Sequence, residues 1–136
     1  MPSDYEKAPP ENPENLFAMD QKYINRFLRY LRSADKKRYA TTMAKPIKRW
    51  MLAVATPRIL AMEGFEEAVE DLLKHGKATF FIDPQSIEES GGRAGVEKSF
   101  RIFGKRIGQF IDCAVGDSRT VQGNLHAILK FKESKL

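Results

Sequence analysis

Ten basic residues crowd the first half of this chain: Lys22, Arg26, Arg29, Arg32, Lys36, Lys37, Arg38, Lys45, Lys48 and Arg49. Tyr23, Tyr30, Tyr39 and Trp50 are interleaved with them. Ammonium and guanidinium groups attract phosphate, and exposed rings stack on unpaired bases. The same cations also suit an acidic protein surface, and the same rings suit a core, so spacing leaves both readings open. No helix-turn-helix glycine pattern, zinc-finger spacing or RNP motif accompanies them.

Other chemistry-bearing residues are sparse. The run Gly91-Gly92-Arg93-Ala94-Gly95 precedes a helical pattern, a placement that can hold an anion with Arg93 reaching it. It lacks the Lys-Ser/Thr of a P-loop and the spacing of a dinucleotide fingerprint, and a connector is its plainer reading. Gly116-Asp117-Ser118 resembles the Gly-Asp-Ser of one hydrolase family, but a nucleophilic serine needs a base within reach. The two histidines, His75 and His126, fall at a helix end and on a strand pattern, and with the single Cys113 they give no zinc spacing. Cys113 lies beside apolar residues and reads as an inert buried thiol. Glu66, Glu67, Glu70 and Asp71 read as a solvated acidic helix face. The sequence therefore points to no catalytic residues, no metal site and no cofactor, and to a protein that is not an enzyme.

At 136 residues the chain is long enough for one domain with a real core. One cysteine excludes an internal disulfide, and no apolar run reaches the ~20 residues of a membrane span. The first residues lack the basic-then-apolar order of a secretory signal. A cytoplasmic location is the expectation. The net charge of +5 is unevenly laid out: residues 1–14 carry −3, 15–58 carry +9, 59–92 carry −6 and 93–136 carry +5.

Residues 1–14 hold four prolines and almost nothing apolar, and read as a flexible tail preceding a single domain over 15–136. The spacing predicts a first helix over 15–32, started by Pro13 with Asn12 as its cap and carrying Lys22, Arg26 and Arg29 as an outer ridge. A second helix runs from Ser33 or Asp35 to about Ala44, with a kink or new start at Pro46 and an apolar continuation over 47–55. Thr56-Pro57 begins a helix that His75-Gly76 ends. Lys77 to Ile82 is β-branched and aromatic and reads as a strand, after which Asp83 can cap a short helix. Val96, Phe100, Phe103, Ile107, Phe110 and Ala114 mark a long helix near 95–115, notched by Gly104 and Gly108 for close packing. Thr120 to Gln122 and Leu125 to Lys132 flank Gly123-Asn124 as the arms of a hairpin.

The expectation is an α+β fold: an N-terminal layer of about four helices, then a small, mainly antiparallel sheet packed on that long helix. Segregated charge without catalytic residues fits a non-catalytic interaction protein, an adaptor or small subunit of a larger assembly. It would contact a protein partner through its basic helices and tail. The alternative is a nucleic-acid-binding protein using the same residues. The oligomeric state is open.

Overall fold

Asp20 starts the first helix by accepting the Tyr23 N–H at 2.9 Å, so one donor left over at the helix start is satisfied locally. The computed structural model describes residues 20–132, and the proposed tail and the Asn12 cap lie outside them. Helix α1 spans Gln21–Arg32 and buries Ile24, Phe27 and Leu28, on the side opposite the outer ridge of Lys22, Arg26 and Arg29, all exposed.

Helix α2 spans Lys37–Val54 and passes through Pro46 without a break, where the sequence suggested a kink or restart. Proline lacks the N–H that would bond the carbonyl of Thr42, and Thr42 is exposed, so water can take that carbonyl. Pro46 itself is buried with Met43, Ile47 and Trp50 on the inner face. Burial of that stripe outweighs the one missing bond.

Thr56 begins α3 as expected, its hydroxyl accepting the Ile59 N–H at 3.2 Å. The helix it starts is only Pro57–Leu60, and α4 (Phe65–His75) is separate. The break is Gly64, whose φ of +86° is a left-handed conformation incompatible with a continuous helix. Gly76 ends α4 with φ +81°, its N–H bonded to Leu72 O at 2.7 Å.

Strand β1 (Lys77–Ile82) follows, and then Asp83 caps α5 (Pro84–Glu89) by accepting the Ser86 N–H at 2.8 Å. The last helix, α6, spans Arg93–Ile107 and is shorter than the stripe to Ala114 implied. Beyond Gly108 the chain becomes strand β2, Ile111–Asp117. Ile111, Cys113 and Val115 turn inward there while Asp112 and Ala114 are exposed, a period of two that the apolar residues of the helical stripe had masked. Strand β3 is Leu125–Phe131. The hairpin therefore pairs β2 with β3, and Thr120 to Gln122 belong to its loop. Ser118 Oγ accepts the N–H groups of Thr120 and Val121, which commits those residues to a turn.

The sheet is antiparallel with order β1-β3-β2, and the fold is α+β. Its inner side carries Phe80, Ile82, Ile111, Leu125, Ala127, Leu129 and Phe131, all buried. Helix α4 lies against β1 and α6 against β2, while α2 touches both helices and α1 packs on α2. One apolar cluster joins these elements, with Phe65 in edge contact with both Phe80 and Phe103 and Trp50 against Phe110. Arg106 Nη1 donates to Val54 O at 2.8 Å, so one cation on the back of α6 closes the end of α2.

Candidate functional site

Lys77 and Lys130 are directly opposed across β1 and β3, both exposed. Strand alternation places each on the outer side, since Ala78 and Leu129 beside them turn inward. Like charges opposite one another destabilise a ladder, and Asp112, on the other flank of Lys130, supplies one carboxylate. Lys132 follows at the end of β3, donates to Gly108 O and stands 3.5 Å from Asp112 Oδ1.

These residues form one wall of an open cleft of about 820 Å³. The other wall is Arg32 at the end of α1 with Lys74, His75 and Gly76 at the end of α4. A second cleft, about 440 Å³, shares Leu31, Lys74 and His75 with the first and is lined from α2 by Lys37, Thr41, Lys45 and Lys48. Together they make a groove that runs from α2 over the end of α4 to the sheet. Among the described residues lining it, eight lysines and arginines face two acids, Glu70 and Asp112.

Part of this charge answers the fold itself. Helices α1 and α4 both end at the groove, and each C-terminus carries roughly half a negative charge. That offsets about one of the surplus cations. Among the described residues, Lys37, Lys45, Lys74, Lys77 and Lys130 are exposed and meet no carboxylate.

Of the ten basic residues singled out in the sequence, the structure brings Arg32, Lys37, Lys45 and Lys48 into this groove. Lys48 bridges to the acidic helix, its Nζ 2.9 Å from Glu66 Oε1 and 2.8 Å from Glu70 Oε1. The hydrogen bond to Glu70, then that to Glu66, raises its pKa above the ordinary lysine value, and Lys48 in turn lowers that of Glu70. Lys22, Arg26, Arg29, Lys36, Lys37, Arg38, Lys45 and Arg49 meet no carboxylate among the described residues.

Arg26, Lys36 and Arg38 form a second group, each over a tyrosine ring: Tyr23 at 5.8 Å, Tyr30 at 5.2 Å and Tyr39 at 4.9 Å. Tyr30 and Tyr39 flank a small hollow of about 230 Å³ with Arg26 and Lys36. Tyr23 instead ties α1 to α2 by donating its hydroxyl to Met43 O at 2.8 Å, and Trp50 is buried. Lys22, Arg29 and Arg49 are exposed and line none of the three hollows.

Arg93 stands in the first turn of α6, bonded through Nε to Glu97 Oε1 at 2.9 Å and through Nη1 to Asp117 Oδ1. The Glu97 bond and the Asp117 charge raise its pKa. With two carboxylates on its guanidinium, this side chain ties α6 to β2. Burial pushes the Cys113 thiol up to about 12. Among the described residues no three His, Cys, Asp or Glu side chains gather, and no helix is long and apolar enough to cross a membrane.

Lys74, Lys77, Lys130 and Lys132 are the groove residues that sequence reasoning missed. Outward positions on the two strand patterns were legible, but the register that sets Lys77 beside Lys130 was not. Compared with known protein families, characterised proteins and solved structures, the chain matches none, so the groove's own geometry carries the functional argument.

Proposed function

We propose that this protein is a non-catalytic binding module whose basic groove takes the phosphate backbone of a nucleic acid. The observation that supports this reading is the juxtaposition of Lys77 and Lys130 within a groove where, among the described residues, cations outnumber acids eight to two. Helix ends and internal ion pairs leave Lys37, Lys45, Lys74, Lys77 and Lys130 without a carboxylate partner among the described residues. A row of phosphates supplies anions at regular intervals along such a channel. Arg26, Lys36 and Arg38, each over a tyrosine ring, add a second group of cations on α1 and α2.

The sequence put a protein partner first, as for an adaptor or assembly subunit. An acidic protein surface would meet the same cations, and it is the competing occupant.

Anisotropy titration of labelled oligonucleotides of unrelated sequence tests the proposal. Binding should occur at low salt, and log K should fall linearly with log salt. With about five phosphate contacts the loss between 50 and 200 mM salt is roughly a hundredfold for a single strand and about five-hundredfold for a duplex. Absence of binding at 20 mM salt overturns the reading and returns the protein partner to first place.

A further inference from the structure

The side of the sheet turned away from α4 and α6 has no helix over it among the described residues. Its outward side chains fall into three registered rows: Lys77, Lys130 and Asp112; then Thr79, Ile128 and Ala114; then Phe81, His126 and Gly116. The first row is also the wall of the basic groove. The third lies four residues further along the strands, about 13 Å away, a distance a polynucleotide covers in a few nucleotides.

Phe81 is 50% exposed and Ile128 45% exposed, beside each other on this face. A single exposed apolar residue is ordinary. Here an aromatic ring, an imidazole and a branched aliphatic chain are contiguous, and the cations lie at one end. Gly116 extends the flatness: a Cβ there would come 3.6 Å from His126 Nε2, so the imidazole leans over bare backbone.

We propose that this sheet face is a base-stacking platform, with Phe81 and His126 receiving unpaired bases of a single strand whose phosphates lie on Lys77, Lys130 and the groove beyond. The inference rests on the nucleic-acid reading and specifies it: the ligand is single-stranded. A duplex hides its base faces inside its own stack and can offer the platform nothing but charge. Charge also argues against a second copy of the chain as the occupant. The face holds two lysines against one aspartate, so pairing it with itself buries like charges.

The test uses the full chain with a fluorescein-labelled twelve-nucleotide oligo(dT) and a twelve-base-pair duplex, compared at each step of one salt series. Oligo(dT) should bind more tightly, although the duplex carries the greater charge density. Phe81→Ala and His126→Ala should each weaken oligo(dT) binding about tenfold while leaving the duplex affinity and the salt slope unchanged. Both side chains project from the outer face, and a far-UV spectrum checks that each variant is folded. Phe81→Trp should retain affinity, with indole fluorescence quenched as oligo(dT) is added. Lys130→Glu should weaken both ligands.

If Lys130→Glu weakens binding but Phe81→Ala and His126→Ala leave the oligo(dT) affinity unmoved, the platform is wrong and the groove reading stands. Equal affinity for duplex and single strand has the same meaning. If neither ligand binds at 20 mM salt, the groove reading itself fails. A dimer by light scattering that Phe81→Ala dissociates assigns the face to a second copy and overturns the proposal.

Discussion

Lys48 Nζ lies 2.8 Å from Glu70 Oε1, and with the neighbouring Glu66 contact this is where the basic half of the chain meets the acidic helix that follows it. The two charge blocks could have neutralised one another across α2 and α4. Instead a single lysine of the ten makes both of these contacts, and Lys37 and Lys45 on the same helix line the groove without a carboxylate among the described residues. That relationship is what leaves Lys37 and Lys45 exposed on the groove.

The pair has a pH signature. The folded-state pKa of Glu70 is lowered, so its contribution is fully present above the unfolded carboxylate value near 4.5 and disappears as pH falls through the lowered value. The pKa of Lys48 is raised, so its contribution is present below the ordinary lysine value of 10.5 and is lost as pH rises through the raised value. Urea denaturation of Glu70→Gln from pH 6 to 3 should show a flatter acid limb than the wild type, with the two curves converging at the lowest pH. The difference should shrink in high salt because the pair is exposed. An unchanged limb would refute the assignment.

Charge reversal should depend on place as well as on number. Lys130→Glu or Lys45→Glu removes a groove cation and should weaken oligonucleotide binding and lower the salt slope by about one per site. Arg49→Glu and Lys22→Glu make the same change to net charge outside the groove and should have a smaller effect on both. Equal losses at all four positions would mean that net charge alone governs binding, with no groove involved.

The glycines of α6 separate cleanly. A Cβ on Gly95 would sit 1.7 Å from Ser90 O, a backbone atom that cannot yield without moving the α5–α6 corner. Gly95→Ala should therefore destabilise by about 2–4 kcal/mol. At Gly104 the nearest atom is Cys113 Cβ at 3.9 Å, an ordinary contact. Gly104→Ala should be stabilising, by up to about 1 kcal/mol, because the interior of a helix disfavours glycine. Chemical denaturation of the two variants checks both signs.

Cys113 should be nearly silent to thiol reagents while the protein is folded. With its pKa pushed up to about 12 by burial, the thiolate population at pH 8 is roughly a thousandfold below that of a free cysteine. Labelling should be slow in buffer and complete in denaturant. Fast labelling of the native protein would place the thiol outside the sheet's inner side.

Local signals in the sequence were accurate where one residue decides the backbone. Thr56-Pro57 begins a helix, Gly76 ends one and Asp83 caps another, because each act needs only a side chain or a φ value close in sequence. The α+β class was legible for the same reason, from stripes of period 3.6 giving way to β-branched runs. The reading faltered where two patterns overlap. Ile111, Cys113 and Val115 satisfy a strand, but Phe110 and Ala114 also continue the stripe of α6, and only the ladder offered by β3 selects the strand. Pro46 shows the reverse, a local breaker overruled by burial on both sides of it.

The sequence by itself determined the amount of charge and its block order along the chain, since these are counts. Which cations become neighbours was decided only by the tertiary structure. Lys37 and Lys130 line one groove because α4 ends between α2 and the sheet, and Lys77 faces Lys130 because β3 pairs antiparallel with β1. Strand register and helix packing are set by burial of side chains such as Phe27, Phe65 and Leu129. The packing that removes those apolar groups from water fixes where the charges are left to stand.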